Sequence, residues 1–366
     1  MRVLAALSGG VDSAVAAARA VDAGHEVVGV HMALSRNRDE YRTGSRGCCS
    51  VEDSNDARRA ADKLGIPYYV WDLSEEFHNL VVTDFLSEYA KGRTPNPCVR
   101  CNEHIKFDTL LERAAALGFD AVATGHYARI VTRDDGVREL HRAADAAKDQ
   151  SYVLAVMGPD KLARAMFPLG DIESKAKVRA EAAARGFGVS NKPDSYDICF
   201  VADGDTKGFL ERALGKKDGE IVDDAGEVVG AHTGAFAYTV GQRKGLRLPR
   251  PAADGAPRYV TEVDTVRNLV VVGPETLLSV RQLVGEDVVW LANDVTAVDP
   301  TPCFAQVRAH GEPVAGSVTL GVDDAGRDRM LVELDQPMRG VAAGQSLVIY
   351  QGTRVIAQGT VAKRTL

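Results

Sequence analysis

Three short stretches of this sequence bring together residue types that could do chemistry. The first is Ser8-Gly9-Gly10-Val11-Asp12-Ser13. Paired glycines let a backbone turn sharply and approach a ligand closely, while serine hydroxyls and successive amides at the start of a helix form a cradle for an anion. Neither GxxxxGK[ST] nor a complete GxGxxG occurs in the chain. A chance helix-capping turn would account for the glycines, and Asp12 alone reads as an acid at a helix start. It would not account for SGGxDS set between a first strand and a first helix. The second stretch runs from Arg93 to Asn102, RTPNPCVRCN, where two prolines stiffen a loop. Between positions 91 and 106 the bases Lys91, Arg93, Arg100 and Lys106 stand against one acid, Glu103. A cysteine in such surroundings is more readily the reactive thiolate. The Cys98-x-x-Cys101 spacing alone leaves three readings open: half of a zinc site, a redox pair, or two cysteines brought together by packing. No second CxxC and no HxxxH supplies further zinc ligands. The third stretch, KPDSYDICF, places Cys199 between an acidic turn and apolar residues, where a lone cysteine reads as core.

The elements that must position these stretches are legible in outline. Residues 2–7 form a short apolar strand, 13–21 an alanine-rich helix stopped by Gly24, and 26–32 a second strand. Ser50 and Asp53 make a capping-box pattern that opens a helix ending at Gly65, before Pro67. Further strands are expected at 68–71 and, after a helix closing at Gly118, at 121–124. Strands alternating with helices predict an α/β fold with a doubly wound parallel sheet and a site outside the carboxyl ends of its strands. From near Gly219 the helical period gives way to glycine, proline and short alternating runs at 236–240, 259–263, 304–309, 330–334, 346–350 and 354–357. The last two runs are joined by a turn around Gln351-Gly352. The expected division is an α/β domain over residues 1–200, a small central β-rich domain over 201–280 with a helical part beginning near 160, and a second β-rich domain over 281–366.

A length of 366 residues fits two or three domains, and 45% hydrophobic with 26% charged residues is ordinary globular composition. No apolar run reaches the roughly 18 residues of a membrane span, and MRVLAALSGGVDS lacks the features of a secretory signal. The expectation is a soluble cytoplasmic protein with no membrane partner. At a net charge of −7, a polyanion must be held by local basic patches. One candidate lies between 241 and 260, where Arg243, Lys244, Arg247, Arg250 and Arg258 outweigh Asp254; the plainer reading is a solvated face. Six cysteines are too few for a disulfide scaffold. Cys303 reads as strand packing, and adjacent Cys48-Cys49 as unassigned loop cysteines.

SGGVDS resembles the PP-loop of the ATP-pyrophosphatase superfamily, whose members cleave ATP between the α and β phosphates and adenylylate an acceptor oxygen. SGGVDS, RTPNPxxxCN, Thr124-Gly125-His126-Tyr127, Lys148-Asp149-Gln150-Ser151-Tyr152, DSxxICF, Thr239-Val240-Gly241-Gln242-Arg243-Lys244-Gly245-Leu246 and Gly344-Gln345-Ser346 follow one another along the chain. Together they are similar to the tRNA-specific 2-thiouridylase family over almost the whole length. The resemblance implies an adenine nucleotide alpha hydrolase-like catalytic domain, a small central domain and a C-terminal β-barrel. It implies an ATP-dependent sulfurtransferase that thiolates C2 of the wobble uridine through an adenylylated base and a cysteine persulfide, releasing AMP and pyrophosphate. Carried over by position, Ala6, Leu7, Ser8, Gly9, Gly10, Val11, Asp12, Ser13, Met32 and Gly125 would bind ATP, accompanied by Mg2+. Cys101 would be the nucleophile and Cys199 the persulfide carrier. His126, Lys148, Asp149, Gln150 and Gln345 would contact tRNA at its anticodon loop, and a cysteine desulfurase or sulfur-relay protein would supply sulfur. One position departs from the pattern. Many members carry an acid three residues before the nucleophile, where this chain has Cys98. Either another acid or water substitutes, or Cys98, Cys101 and Cys199 ligate an iron–sulfur cluster; the persulfide route without a cluster is preferred. The rivals are a PP-loop ligase that transfers nitrogen, which leaves the cysteines without work, and a non-catalytic RNA-binding adaptor.

Overall fold

The computed structural model describes residues 1–35, 50–193, 198–201, 204–249 and 255–362. Cys48, Cys49, Arg250, Asp254 and the DSxx part of DSxxICF lie outside the described residues.

β1 (Arg2–Ala6) is followed by α1 (Val11–Asp22), β2 (Glu26–Ala33), α2 (Val51–Leu64), β3 (Tyr68–Asp72) and β4 (Ala121–Ala123). A hairpin of β5 (Arg129–Thr132) and β6 (Arg138–His141) precedes the short β7 (Ala165–Met166). The parallel sheet has the order β3-β2-β1-β4-β7. Successive strands leave β1 in opposite directions, so the switch point lies between β1 and β4, where a doubly wound sheet opens a crevice at its carboxyl end. β1 is apolar on both faces because both are covered. Val3, Ala5 and Leu7 meet the alanines of α1 and α2, whereas Leu4 and Ala6 meet Leu110, Leu111, Ala114 and Phe119. The small side chains of α1 let it lie close to the sheet. α2 opens on the expected capping box: Ser50 Oγ accepts from Asp53 N at 3.0 Å, and Ser50 N donates to Asp53 Oδ2 at 2.9 Å.

The central unit is a four-stranded sheet of Gly219–Asp223, Val228–His232, Tyr259–Asp264 and Leu269–Gly273. The strand expected at 236–240 is absent there. Ala235–Ala237 is a single 3-10 turn, and the amides of Ala237 and Tyr238 bond back to Gly234 O and Ala235 O, so they are spent within the turn rather than on a ladder. Six antiparallel strands from Ser279 to Val361 then close a barrel, Ser279–Trp290 pairing with both Asp328–Arg339 and Arg354–Val361. The run expected at 304–309 lies earlier, at Thr301–Gln306.

The barrel also reaches into the first unit. β6 pairs with Arg354–Val361 at His141 and Arg354, so the β5–β6 hairpin extends the barrel sheet. Phe107, Leu140, Tyr152 and Leu154 share one core with Val348, Tyr350 and Val355. Among the described residues, no helix is long and apolar enough to cross a membrane.

Candidate active site

The SGGVDS loop sits at the carboxyl end of β1. Leu7 N still donates to Val30 O, at 2.8 Å, so the loop leaves the sheet only at Ser8. Ser13 Oγ accepts from Ser8 N and donates to Gly10 O, each at 3.1 Å, which closes the turn onto the first residues of α1. Gly9 has φ +79, and a Cβ there would stand 2.2 Å from Asp53 O, so no other residue fits. Across the switch point, a Cβ on Gly125 would lie 2.7 Å from Ser13 N. The side chains of Ala6, Leu7 and Val11 are buried.

Around this loop stand side chains that sequence reading gave no role. Tyr127 OH donates to Asp12 Oδ1 at 2.6 Å, and Lys175 forms an ion pair with the other oxygen of Asp12. Lys192 Nζ donates to Gly9 O at 3.0 Å and pairs with Asp53 and Asp56 at 2.6 and 2.7 Å. Burial opposes its charge, yet the hydrogen bonds that it donates to the two carboxylates raise the Lys192 ammonium above its ordinary value. His31 Nδ1 meets Leu7 O at 2.9 Å beneath the loop. Two lysines, each paired with a carboxylate, thus stand beside the uncapped start of α1.

The cysteine stretch is built by local rules. Asn96 caps the helix that starts at Pro97, its Oδ1 accepting from Cys98 N at 3.0 Å, and proline suits the first helical position. Pro97–Arg100 is α-helical, Cys101–Thr109 winds as a wider π-helix, and Leu110–Ala116 is α-helical again. Such wide turns recur at functional sites. Cys101 and Cys199, about a hundred residues apart in sequence, both pack against one cluster that contains Phe77, Phe85, Ile105 and Phe200. Met32 packs onto this cluster and also onto the sheet face of Leu4 and Ala6, so it joins the nucleotide loop to the cysteines. Cys98 is exposed. Among the described residues, no group of three His, Cys, Asp or Glu side chains is close enough to hold a metal ion. Cys303 is a buried thiol, pushed up to about 12 by desolvation, as expected of strand packing.

The residues implied to read tRNA are mostly engaged inside the protein. Asp149 has a side chain 6% exposed and accepts from Ala143 N, Ser151 N, Ser151 Oγ and Arg142 Nη1. Gln150 and Tyr127 exchange two hydrogen bonds, Tyr127 N to Gln150 Oε1 at 3.0 Å and Gln150 N to Tyr127 O at 2.8 Å. Gln150 therefore orients the tyrosine that holds Asp12. Gln345 Oε1 accepts from Ala342 N at 2.9 Å. Lys148 is half-buried. On the basic loop, Arg243, Lys244 and Arg247 are exposed, and Thr239 at its root meets Thr94 of the cysteine stretch at 3.4 Å.

His126 is 8% exposed and lies against Phe107 and Phe167. Lys106 Nζ approaches its Nε2 at 3.3 Å, which assigns the proton to Nδ1, facing Thr124 Oγ1 at 2.7 Å. Burial first, and Lys106 second, hold His126 well below the usual histidine value; burial likewise lowers His31. Unfolded histidines take up protons below about pH 6.5, whereas these folded ones resist. The unfolded state then binds more protons, so stability is full above that pH and falls as the pH drops toward the folded values. Calorimetry should show the Tm falling from pH 7 to 5.5, and falling less in His126→Gln; a flat profile in the wild type would contradict the assignment.

Family patterns described as tRNA methyl transferase HUP domain, tRNA methyl transferase PRC-barrel domain and Aminomethyltransferase beta-barrel domain match residues 1–203, 207–274 and 280–361. The tRNA-specific 2-thiouridylase MnmA of Beutenbergia cavernae is 69% identical over 362 residues, covering 99% of this chain and 95% of that protein. The protein of the same name from Kineococcus radiotolerans is 63% identical over 365 residues, covering 100% and 99%. With an SGGVDS loop at the switch point and Cys101 and Cys199 packed against one common cluster, the chain belongs to the tRNA-specific 2-thiouridylase family.

Proposed function

We propose that the chain is an ATP-dependent sulfurtransferase that thiolates C2 of the wobble uridine in the anticodon loop of tRNA. The observation that carries this reading is Met32, packed both on the sheet face behind the nucleotide loop and on the cluster of Cys101 and Cys199. An activated base and a sulfur-bearing cysteine would then meet in one pocket.

The phosphates of ATP would lie on the amides and hydroxyls of Ser8–Ser13, with Lys175 and Lys192 alongside and the adenosine toward Met32 and Gly125. Asp12 is a carboxylate at the helix start; its oxygens accept from Tyr127 and Lys175 and keep further lone pairs that would face magnesium brought in with the phosphates. Bound there, the ion would offset charge developing on the departing pyrophosphate. The uridine C2 oxygen attacks the α-phosphorus and pyrophosphate leaves, which turns a poor leaving group into AMP. The terminal sulfur of a Cys199 persulfide adds at C2, and AMP departs with the oxygen. The Cys101 thiolate next attacks the Cys199 sulfur of the C2–S–S link, freeing the thiolated base and leaving a Cys101–Cys199 disulfide. In the reverse order, Cys101 first displaces sulfide from the persulfide and that sulfide adds at C2, with the same disulfide formed. Two electrons from an external thiol reductant restore both thiols. Terminal sulfur comes from a cysteine desulfurase, directly or through a relay protein.

The exposed bases Arg243, Lys244 and Arg247, beside the cysteine stretch, support a phosphate-backbone contact. Pyrophosphate release with and without tRNA tests the reading against its rivals. Release that needs tRNA supports it; release that needs ammonia instead would point to nitrogen transfer, and none at all to a binding adaptor. Cys98→Ser should retain most thiolation, because the exposed thiol takes no part in the route. Loss of both activity and stoichiometric iron in that variant, purified anaerobically, would favour the cluster over this route.

A further inference from the structure

The barrel loop at 342–346 grips the first unit on both sides of the helix that carries Cys101. Upstream, Thr94 N donates to Ala343 O at 2.7 Å. The fit there is close, since a Cβ on Gly344 would stand 2.9 Å from both Thr94 N and Arg93 Cβ. Arg93 adds a second tie, its Nη1 2.7 Å from Glu286 Oε1 on the first barrel strand. Downstream, Tyr152 OH donates to Ser346 O at 2.8 Å. The next carbonyl, Val153 O, accepts from Asn102 Nδ2 at 3.0 Å, and Asn102 directly follows Cys101. Tyr152 and Asn102 are 2% and 1% exposed, so these bonds lie out of reach of solvent.

Asn102 is an unusual choice for so buried a position. Its Oδ1 has no hydrogen-bond partner, and a buried acceptor left unmade lowers stability. An apolar residue of similar size would fold as well or better. The amide is therefore not explained by stability, and what remains is one directional bond at the first turn of the π-helix. That bond fixes how the turn bearing Cys101 is rotated about its axis.

We propose that Asn102 and Tyr152 are positioning residues that link the Cys101 helix to the 342–346 loop, so that the nucleophile is aligned only when the barrel is seated. The inference rests on Cys101 being the nucleophile. Bond formation between sulfur atoms requires alignment, and a misplacement of about 1 Å can cost on the order of a hundredfold in rate. Adenylylation does not use Cys101 and should be spared.

The test is steady-state thiolation of tRNA by the full chain, with pyrophosphate release and Tm measured on the same samples. Asn102→Leu should lower kcat for thiolation about tenfold or more, leave KM for tRNA and pyrophosphate release within about twofold, and keep or raise the Tm. Tyr152→Phe, which removes only a hydroxyl, should give a smaller loss of the same kind. The double variant should be no slower than Asn102→Leu, because both residues act through one chain of contacts. Thiolation by Asn102→Leu at the wild-type kcat, or a parallel fall of thiolation, pyrophosphate release and Tm, would overturn the proposal. If Asn102→Leu does not fold, wild-type kcat in Tyr152→Phe overturns it instead. Cys101→Ser is run alongside: activity in that variant would remove the nucleophile reading itself, an outcome distinct from failure of the positioning residues.

Discussion

Cys199→Ser is expected to abolish 2-thiouridine formation while ATP is still cleaved to AMP and pyrophosphate in the presence of tRNA. A serine oxygen cannot carry the S–S bond of a persulfide, so no sulfur reaches C2, yet the nucleotide loop is untouched. Cys101→Ser should lose thiolation by about a thousandfold or more, because a hydroxyl is a far weaker nucleophile at neutral pH than a thiol. The packing lost is small in both cases, since each cysteine lies at the edge of its cluster rather than at the centre. Measuring nucleoside composition and pyrophosphate on the same samples separates the two steps. Equal loss of both products in Cys199→Ser would mean that the cysteine supports the fold or the nucleotide rather than the sulfur.

The second large effect is expected at Asp12. Asp12→Ala should lower tRNA-dependent pyrophosphate release by about a hundredfold to a thousandfold, the range seen when one preorganised electrostatic contact at a reacting centre is removed. Asp12→Asn should fall nearly as far, because it keeps an acceptor for Tyr127 but loses the charge that pairs with Lys175 and suits magnesium. Stability should change little. The Asp12 side chain is 30% exposed, and ion pairs of that exposure contribute about 1 kcal/mol or less. Wild-type pyrophosphate release in either variant would remove Asp12 from the phosphate site.

The nucleotide loop was legible because everything that makes it is contiguous: strand, glycine turn and helix start occupy residues 2–22. The Ser50–Asp53 capping box and the strand pair around Gln351-Gly352 are local in the same way. Contacts between distant residues left no such signal. Lys175 and Lys192 reach the loop from segments more than 160 residues away, and no spacing announces them. Nothing local ties the β5–β6 hairpin to the last barrel strand, which lies about 200 residues further along the chain; their pairing extends the barrel sheet. At 236–240 the alternation of aromatic and small residues is strand-like, but the backbone bonds back on itself in a 3-10 turn and, among the described residues, finds no partner strand. Asp149, Gln150 and Gln345 show a different gap. Likeness to a family marks such residues without saying what they hold, and here their bonds run to Arg142, Tyr127 and Ala342.

The most direct test of the account is a single stoichiometry. The purified chain is incubated with ATP, magnesium, tRNA and a persulfide donor; 2-thiouridine is quantified by mass spectrometry of the nucleosides, together with AMP and pyrophosphate. The account expects one AMP and one pyrophosphate for each wobble uridine thiolated at C2, and no thiolation without ATP. Unmodified uridine, or ADP and phosphate in place of AMP and pyrophosphate, would contradict it.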